Sequence, residues 1–166
     1  MIEEQAAEAK LTNPLASYPA EVEDQLEKAQ QIVEQTLTEL LEKMNIEGKV
    51  VSRIMDAEDE KDQPIILAEI SGKDLSILIG RKSETLNSLQ YITSLILCSK
   101  MEKWVPLTVD VQGYRYRRER QLRQLARRIA DQVVQTGRMQ VLEPMPANER
   151  RIIHLELRYH PFVTTQ

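Results

Sequence analysis

Ile77-Leu-Ile-Gly-Arg-Lys-Ser-Glu-Thr-Leu-Asn-Ser-Leu-Gln-Tyr-Ile92 reads as a short apolar helix, an abrupt glycine turn carrying two cations, and a second, longer helix. Gly80 allows the sharp turn because no Cβ restricts its backbone. Arg81 and Lys82 stand just ahead of the next helix's amino end, where free N–H groups and the helix dipole favour an anion. A phosphate of single-stranded nucleic acid fits such a place. An ordinary corner between two helices, its cations merely solvated, would use the same residues, so this stretch alone leaves both readings open.

Upstream, Val22, Leu26, Ala29, Val33, Leu37, Leu40 and Met44 recur at spacings of three and four, which predicts an amphipathic helix over about 21–45. It runs straight into strand pattern, which favours a helix docked on its own domain over a coiled-coil seam. Residues 49–55 and 64–70 are β-branched runs, predicted as strands joined by the acidic segment 56–63. That segment lacks the glycine and terminal Glu spacing of a calcium loop and reads as a solvated turn. Residues 1–20, with two prolines and no period, read as a flexible leader.

Downstream, a helix over about 84–99 is apolar on most sides through Leu86, Leu89, Ile92, Leu95, Ile96 and Leu97, as a core helix would be. Val105, Leu107, Val109 and Val111 alternate with Pro106, Thr108 and Asp110, predicting a half-buried strand that Gly113 ends. The order helix–strand–strand–helix–turn–helix–strand predicts one α+β unit over 21–112.

A second small α/β unit is expected over 113–166. Leu122, Leu125, Ala126, Ile129 and Val133 form one stripe of a helix that Gly137 stops, with Arg117, Arg120, Arg123 and Arg127 directed mostly away from it, where they are expected to contact RNA phosphates. Residues 139–142 read as a short strand, and residues 160–166 as the start of another. Between them a helix runs from about 146 to Leu157, with Ile152, Ile153, Leu155 and Leu157 on its buried side. Arg150 and His154 are four residues apart, so they stack on one helix face, with Arg151 at its edge. Such a pair can donate hydrogen bonds to phosphate oxygens, and the imidazole can stack on a base. A polar outer face without a specific role is the plain alternative.

The 166 residues are 42% apolar and 29% charged, an ordinary globular balance. No run approaches the roughly 18 apolar residues of a membrane span. The acidic start Met1-Ile-Glu-Glu-Gln5 lacks the blocks of a signal peptide. A cytoplasmic protein without membrane insertion is the expectation. Cys98, the single cysteine, falls in an apolar helix pattern and is expected to be buried. The net charge of −4 is divided unevenly: residues 1–62 carry 16 Asp and Glu against 6 Lys and Arg, and residues 63–166 carry 10 against 16. A surface for polyanions therefore belongs to the later part of the chain.

His154 and His160 are the only histidines, and no triphosphate or dinucleotide glycine fingerprint is present. The expectation is a non-catalytic protein with no cofactor and no metal. Aromatic residues make up 4% of the chain, too few for the stacking platforms of RRM or OB-type modules. A glycine-turn clamp beside an apolar groove, flanked by Ile77, Ile79 and Leu86, needs no aromatics and is the mode of KH domains.

Ile79-Gly-Arg-Lys-Ser-Glu-Thr-Leu-Asn-Ser-Leu-Gln-Tyr91, Val109-Asp-Val-Gln-Gly-Tyr114 and Glu143-Pro-Met-Pro-Ala-Asn-Glu-Arg-Arg-Ile-Ile-His154 together resemble the bacterial Jag family, also called SpoIIIJ-associated or KhpB proteins. The resemblance covers about residues 21–163. It implies a type II KH domain, ordered αββααβ, followed by a domain named for its Arg-x-x-x-His signature. It also implies single-stranded RNA binding through Gly80, Arg81, Lys82 and Ser83 and through Arg150 with His154. Single-stranded DNA is the alternative ligand. Pairing with a small KH protein or a second copy is a further implied role, as is post-transcriptional regulation or RNA chaperoning linked to cell division, elongation or envelope homeostasis. Three departures stand out. Ser83 occupies a place where the family pattern has Gly, although its hydroxyl is suited to capping the next helix. An amino-terminal Jag domain is not expected in this sequence, and a last strand of the second domain is expected to be shortened.

Overall fold

The computed structural model describes residues 20–55 and 63–165; the expected leader and nearly all of the acidic connection lie outside them. The elements are α1 (Ala20–Lys43), β1 (Gly48–Met55), β2 (Ile65–Gly72), α2 (Ser76–Ile79), a 3-10 turn (Arg81–Ser83), α3 (Glu84–Met101), β3 (Leu107–Val111), α4 (Tyr114–Thr136) and α5 (Ala147–Leu157). The architecture is α+β, and residues 20–111 follow the order αββααβ. Two compact units divide between Gln112 and Gly113.

In the first unit the sheet order is β1-β2-β3, with β1 antiparallel and β3 parallel to β2. The hairpin register pairs Val50 with Ile70 and Ile54 with Ile66. Ile66, Ala68 and Ile70 of β2, with Val109 and Val111 of β3, are sealed from solvent, as the period of two requires on the covered face of a sheet. The helices α1 and α3 pack against the sheet and against each other. From α1, Leu26, Ala29, Val33, Leu37 and Leu41 are buried. The stripe thus continues to Leu41 instead of Leu40, the ordinary drift of a 3.6-residue period, while Met44 lies beyond the helix and is exposed.

Several expectations need correction. β3 begins at Leu107, not Val105: Val105 is buried, but pairing starts where the Pro106 carbonyl accepts the Ile66 N–H at 3.0 Å. α3 is not central on all sides. Leu86, Leu89, Thr93 and Leu97 face inward, whereas Tyr91, Ile92 and Leu95 are exposed, because one sheet face and one neighbouring helix cover only a single stripe. Cys98 is half-buried rather than enclosed.

The second unit is built on the α4–α5 pair. Leu122, Ala126 and Ala130 of α4 meet Ile153 and Leu157 of α5, with Leu142, Met145, Ile152 and Val163 packed around them. The two alanines let the helices approach closely. Gly137 (φ 63°) ends α4 as expected, its N–H returning to the Val133 carbonyl at 2.8 Å. Residues 139–142 and 160–165 are not strands, since neither segment finds a ladder partner among the described residues. Leu155 is also exposed, not buried, because it lies off the Ile153–Leu157 stripe.

Candidate nucleic-acid interface

The turn after α2 is shaped by three residues of positive φ within a run of four. Gly80 has φ 69° and ψ −179°, a region essentially reserved for glycine. A Cβ there would also stand 2.8 Å from the Thr85 Cβ and collide with its hydroxyl. Lys82 (φ 52°, ψ 33°) and Ser83 (φ 63°, ψ 18°) are left-handed. This geometry exposes Arg81 and Lys82 and turns Ser83 inward. The Gly usual in the family at position 83 would take this conformation freely, whereas serine bears a cost of about 1 kcal/mol. The expected capping role is not fulfilled: Ser83 makes no side-chain cap bond to α3, because a left-handed residue does not have the β-region backbone of an N-cap.

Ile77 is 65% exposed and Ile79 partly exposed, so both are available beside the turn. Leu86 is fully buried in the core and does not flank a groove.

In the second unit three arginines of α4 are held by carboxylates. Arg118 donates from Nε and Nη2 to both oxygens of Glu149, each at 2.8 Å, and Glu149 is only 3% exposed. That hydrogen-bonded carboxylate raises Arg118 above its ordinary pKa. Arg123 donates to Glu156 at 2.8 Å and to Glu119 at 2.7 Å, and Arg127 donates to Glu156 at 2.6 Å. Hydrogen bonds from Arg127 and then Arg123 hold the Glu156 carboxyl below the usual glutamate range. Arg123 and Arg127, expected as phosphate contacts, are therefore tied to α5. Arg117 and Arg120 lie exposed on α4.

Arg150, Arg151 and His154 are exposed, and all three line one open cleft of about 900 Å³. Arg150 is steadied by a bond from Nη1 to the Met145 carbonyl (3.2 Å), and His154 Nδ1 lies 2.7 Å from the Thr165 hydroxyl. With Nδ1 engaged, Nε2 is the ring nitrogen left for a ligand. The cleft is the feature that sequence reasoning missed, because its walls come from segments expected to be strands. The two glutamates were legible in part: Glu149 and Glu156 are seven residues apart, hence on one helix face.

A family model for the R-3-H domain, the module with the Arg-x-x-x-His signature, matches residues 120–166, which include the Arg150/His154 pair. The chain is 39% identical over 109 residues to the RNA-binding protein KhpB of Clostridium symbiosum, covering 66% of this chain and 48% of the relative. It is 39% identical over 95 residues to that of Bacillus subtilis (57% and 46%) and 30% identical over 77 residues to that of Streptococcus pneumoniae (46% and 24%). The chain is similar to KhpB proteins over about two thirds of its length or less, and residues 120–166 match the Arg-x-x-x-His domain. The chain spans about half the length of the first two of these relatives or less. Arg150 to His154 is thus the one expected signature that falls within both the matched domain and a formed cleft.

Two outcomes follow from this geometry. Ser83→Gly relieves a left-handed serine and should stabilise the first unit by about 1 kcal/mol, read as a higher urea midpoint from the fluorescence of Trp104; an unchanged or lower midpoint would show that Ser83 is not strained. Glu156 has a lowered pKa in the folded state, so its contribution is present above the unfolded glutamate pKa and lost as pH falls through the folded one. The protection factors of α5 amides, corrected for the slowing of intrinsic exchange in acid, should fall over that acidic window, and Glu156→Gln should remove this part of the pH dependence.

Proposed function

We propose that this chain is a non-catalytic single-stranded RNA-binding protein with a type II KH domain over 21–112 and an Arg-x-x-x-His domain over 113–166, acting in the cytoplasm. The observation that carries the reading is the turn at Gly80. Its backbone is closed against Thr85, so Arg81 and Lys82 are presented to solvent at the amino end of an 18-residue helix. That combination of helix dipole and two exposed cations suits the phosphates of an unpaired strand. Ile77 and Ile79 supply the apolar surface beside it for bases, and Arg150, Arg151 and His154 add phosphate contacts from the second domain. The matching relatives bear the name RNA-binding protein KhpB, which agrees with this reading. A role as a post-transcriptional regulator or RNA chaperone tied to cell division, elongation or envelope homeostasis follows from the family resemblance.

A second reading is favoured by the exposed apolar face of α3, formed by Tyr91, Ile92 and Leu95. Such a face suits pairing with a small KH protein or a second copy of this chain.

Arg81→Asp combined with Lys82→Asp should weaken binding to single-stranded RNA and flatten its salt dependence. Each lost phosphate contact lowers the log–log slope by roughly 0.7. Fluorescence anisotropy with matched RNA and DNA oligonucleotides at several salt concentrations measures both effects, and tighter binding of RNA would assign a role to the 2′-hydroxyl. An unchanged affinity and slope would remove the turn from the interface. For pairing, Tyr91→Asp with Leu95→Asp should abolish a larger species seen by light scattering when a small KH protein is added. A mass unaffected by the partner or by the substitutions would dismiss that face.

A further inference from the structure

Only one face of the first unit's sheet is sealed. The helices cover the face of Ile54, Ile66 and Ile70. The opposite face carries Val51 and Met55 of β1, each 49% exposed, and Ile65 of β2, 40% exposed, with Leu67 half-buried beside them. A solvated sheet face ordinarily turns polar residues outward, so large apolar groups gathered on two neighbouring strands mark a surface for a partner. Among them stand Lys49 and Arg53 of β1 and Glu69 of β2, none of which forms an ion pair among the described residues. The edges of the sheet, by contrast, are occupied. In β1 the Ser52 N–H donates to Glu34 Oε1 at 2.8 Å, and the Ser52 carbonyl accepts from Gln30 Nε2 at 2.9 Å. In β3 the Val109 N–H donates to Gln90 Oε1 at 3.1 Å. Side chains of α1 and α3 thus close the edges at these points to an added strand, which leaves the face as the route to a partner.

We propose that this open face binds the same face of a second copy of the chain, in a two-fold dimer with β1 of each copy over β2 of the other. The register of the hairpin decides the occupant. Val51 lies opposite Glu69, and Lys49 and Arg53 lie two residues to either side of Val51. A two-fold axis parallel to the strands, midway between β1 and β2, exchanges those strands and preserves position along them. Glu69 of one copy then comes over Val51 of the other, between Lys49 and Arg53, and symmetry makes the contact twice. Met55 pairs with Ile65 in the hairpin, so the same operation sets each over the other's counterpart. The face therefore complements itself in charge and in apolar groups at the roughly 10 Å separation of stacked sheets. A uniformly acidic partner would suit β1 and repel Glu69, and a basic one the reverse. This surface is separate from the exposed face of α3 and involves no RNA contact.

Light scattering on the full chain over a concentration series should show a species of twice the chain mass. Glu69→Lys, and separately Lys49→Glu with Arg53→Glu, should each raise the dissociation constant about tenfold or more, because like charges then meet at both contacts. An equimolar mixture of the two variants should regain the dimer, since every contact in it again joins opposite charges. A merely structural role for these residues would not produce that recovery, and circular dichroism of each variant checks the fold. A chain that stays monomeric at every concentration would overturn the proposal. So would a dimer that persists in both variants, and its loss in Tyr91→Asp with Leu95→Asp would then assign it to α3. Variants that are monomeric alone and remain so when mixed would overturn it as well.

Discussion

The backbone at Gly80 is pressed against Thr85 so closely that no side chain has room at position 80, and its dihedral angles suit glycine alone. The presentation of the first unit's cations depends on this contact. With the turn closed there, the next residues must rise away from α2 before α3 can begin. Arg81 and Lys82 consequently emerge into water, and Ser83 is carried inward. A looser corner would allow the two cations to lie along the protein surface, where their side-chain entropy would compete with any ordered contact.

The second unit solves a different problem, that of separating structural from available charge. Its long α4 is rich in arginine, and an unassisted reading would offer the whole face to a polyanion. The carboxylates of Glu149 and Glu156 take up Arg118, Arg123 and Arg127, one near each end of α5. These pairs differ in character. Arg118–Glu149 is bidentate with a nearly enclosed carboxylate, so removing one partner would leave a buried charge. The Glu156 pairs are more exposed on the arginine side and more readily screened. Together they fasten α5 at a fixed rotation about its axis, and Arg150, Arg151 and His154 then face the cleft.

Hydrophobic period made most of the fold legible. The stripe from Leu26 to Leu37 and the alternation of Leu107, Val109 and Val111 each named an element and its buried side, because burial of one face leaves a direct imprint on spacing. The readings failed where local pattern does not determine the partner. Residues 139–142 have strand-like composition but no neighbouring ladder among the described residues, and Ile92 and Leu95 are apolar but lie beyond the reach of the sheet. In the candidate interface, Gly80, Arg81, Lys82, Arg150 and His154 were visible as short-range motifs. The fates of Arg123 and Arg127 were not, since their partner Glu156 lies about thirty residues away and only the packing of α4 on α5 brings it near. Ser83 belongs between these cases: its departure from glycine was plain, whereas the left-handed backbone that makes the departure costly required the structure.

An acidic chain can still serve a polyanion if its charges are sorted over distances longer than the screening length. At physiological salt that length is about 8 Å, so a phosphate at the Gly80 turn responds chiefly to Arg81, Lys82 and the amino end of α3, not to the net charge of −4. The strain at Ser83 is a cost to the fold: the left-handed backbone is present without a ligand, so it draws on the stability of the first unit and not on the free energy of a contact. On the reading proposed above, a second site on the same chain strengthens the grip without new contacts at the first, because binding at one raises the local concentration of RNA at the other.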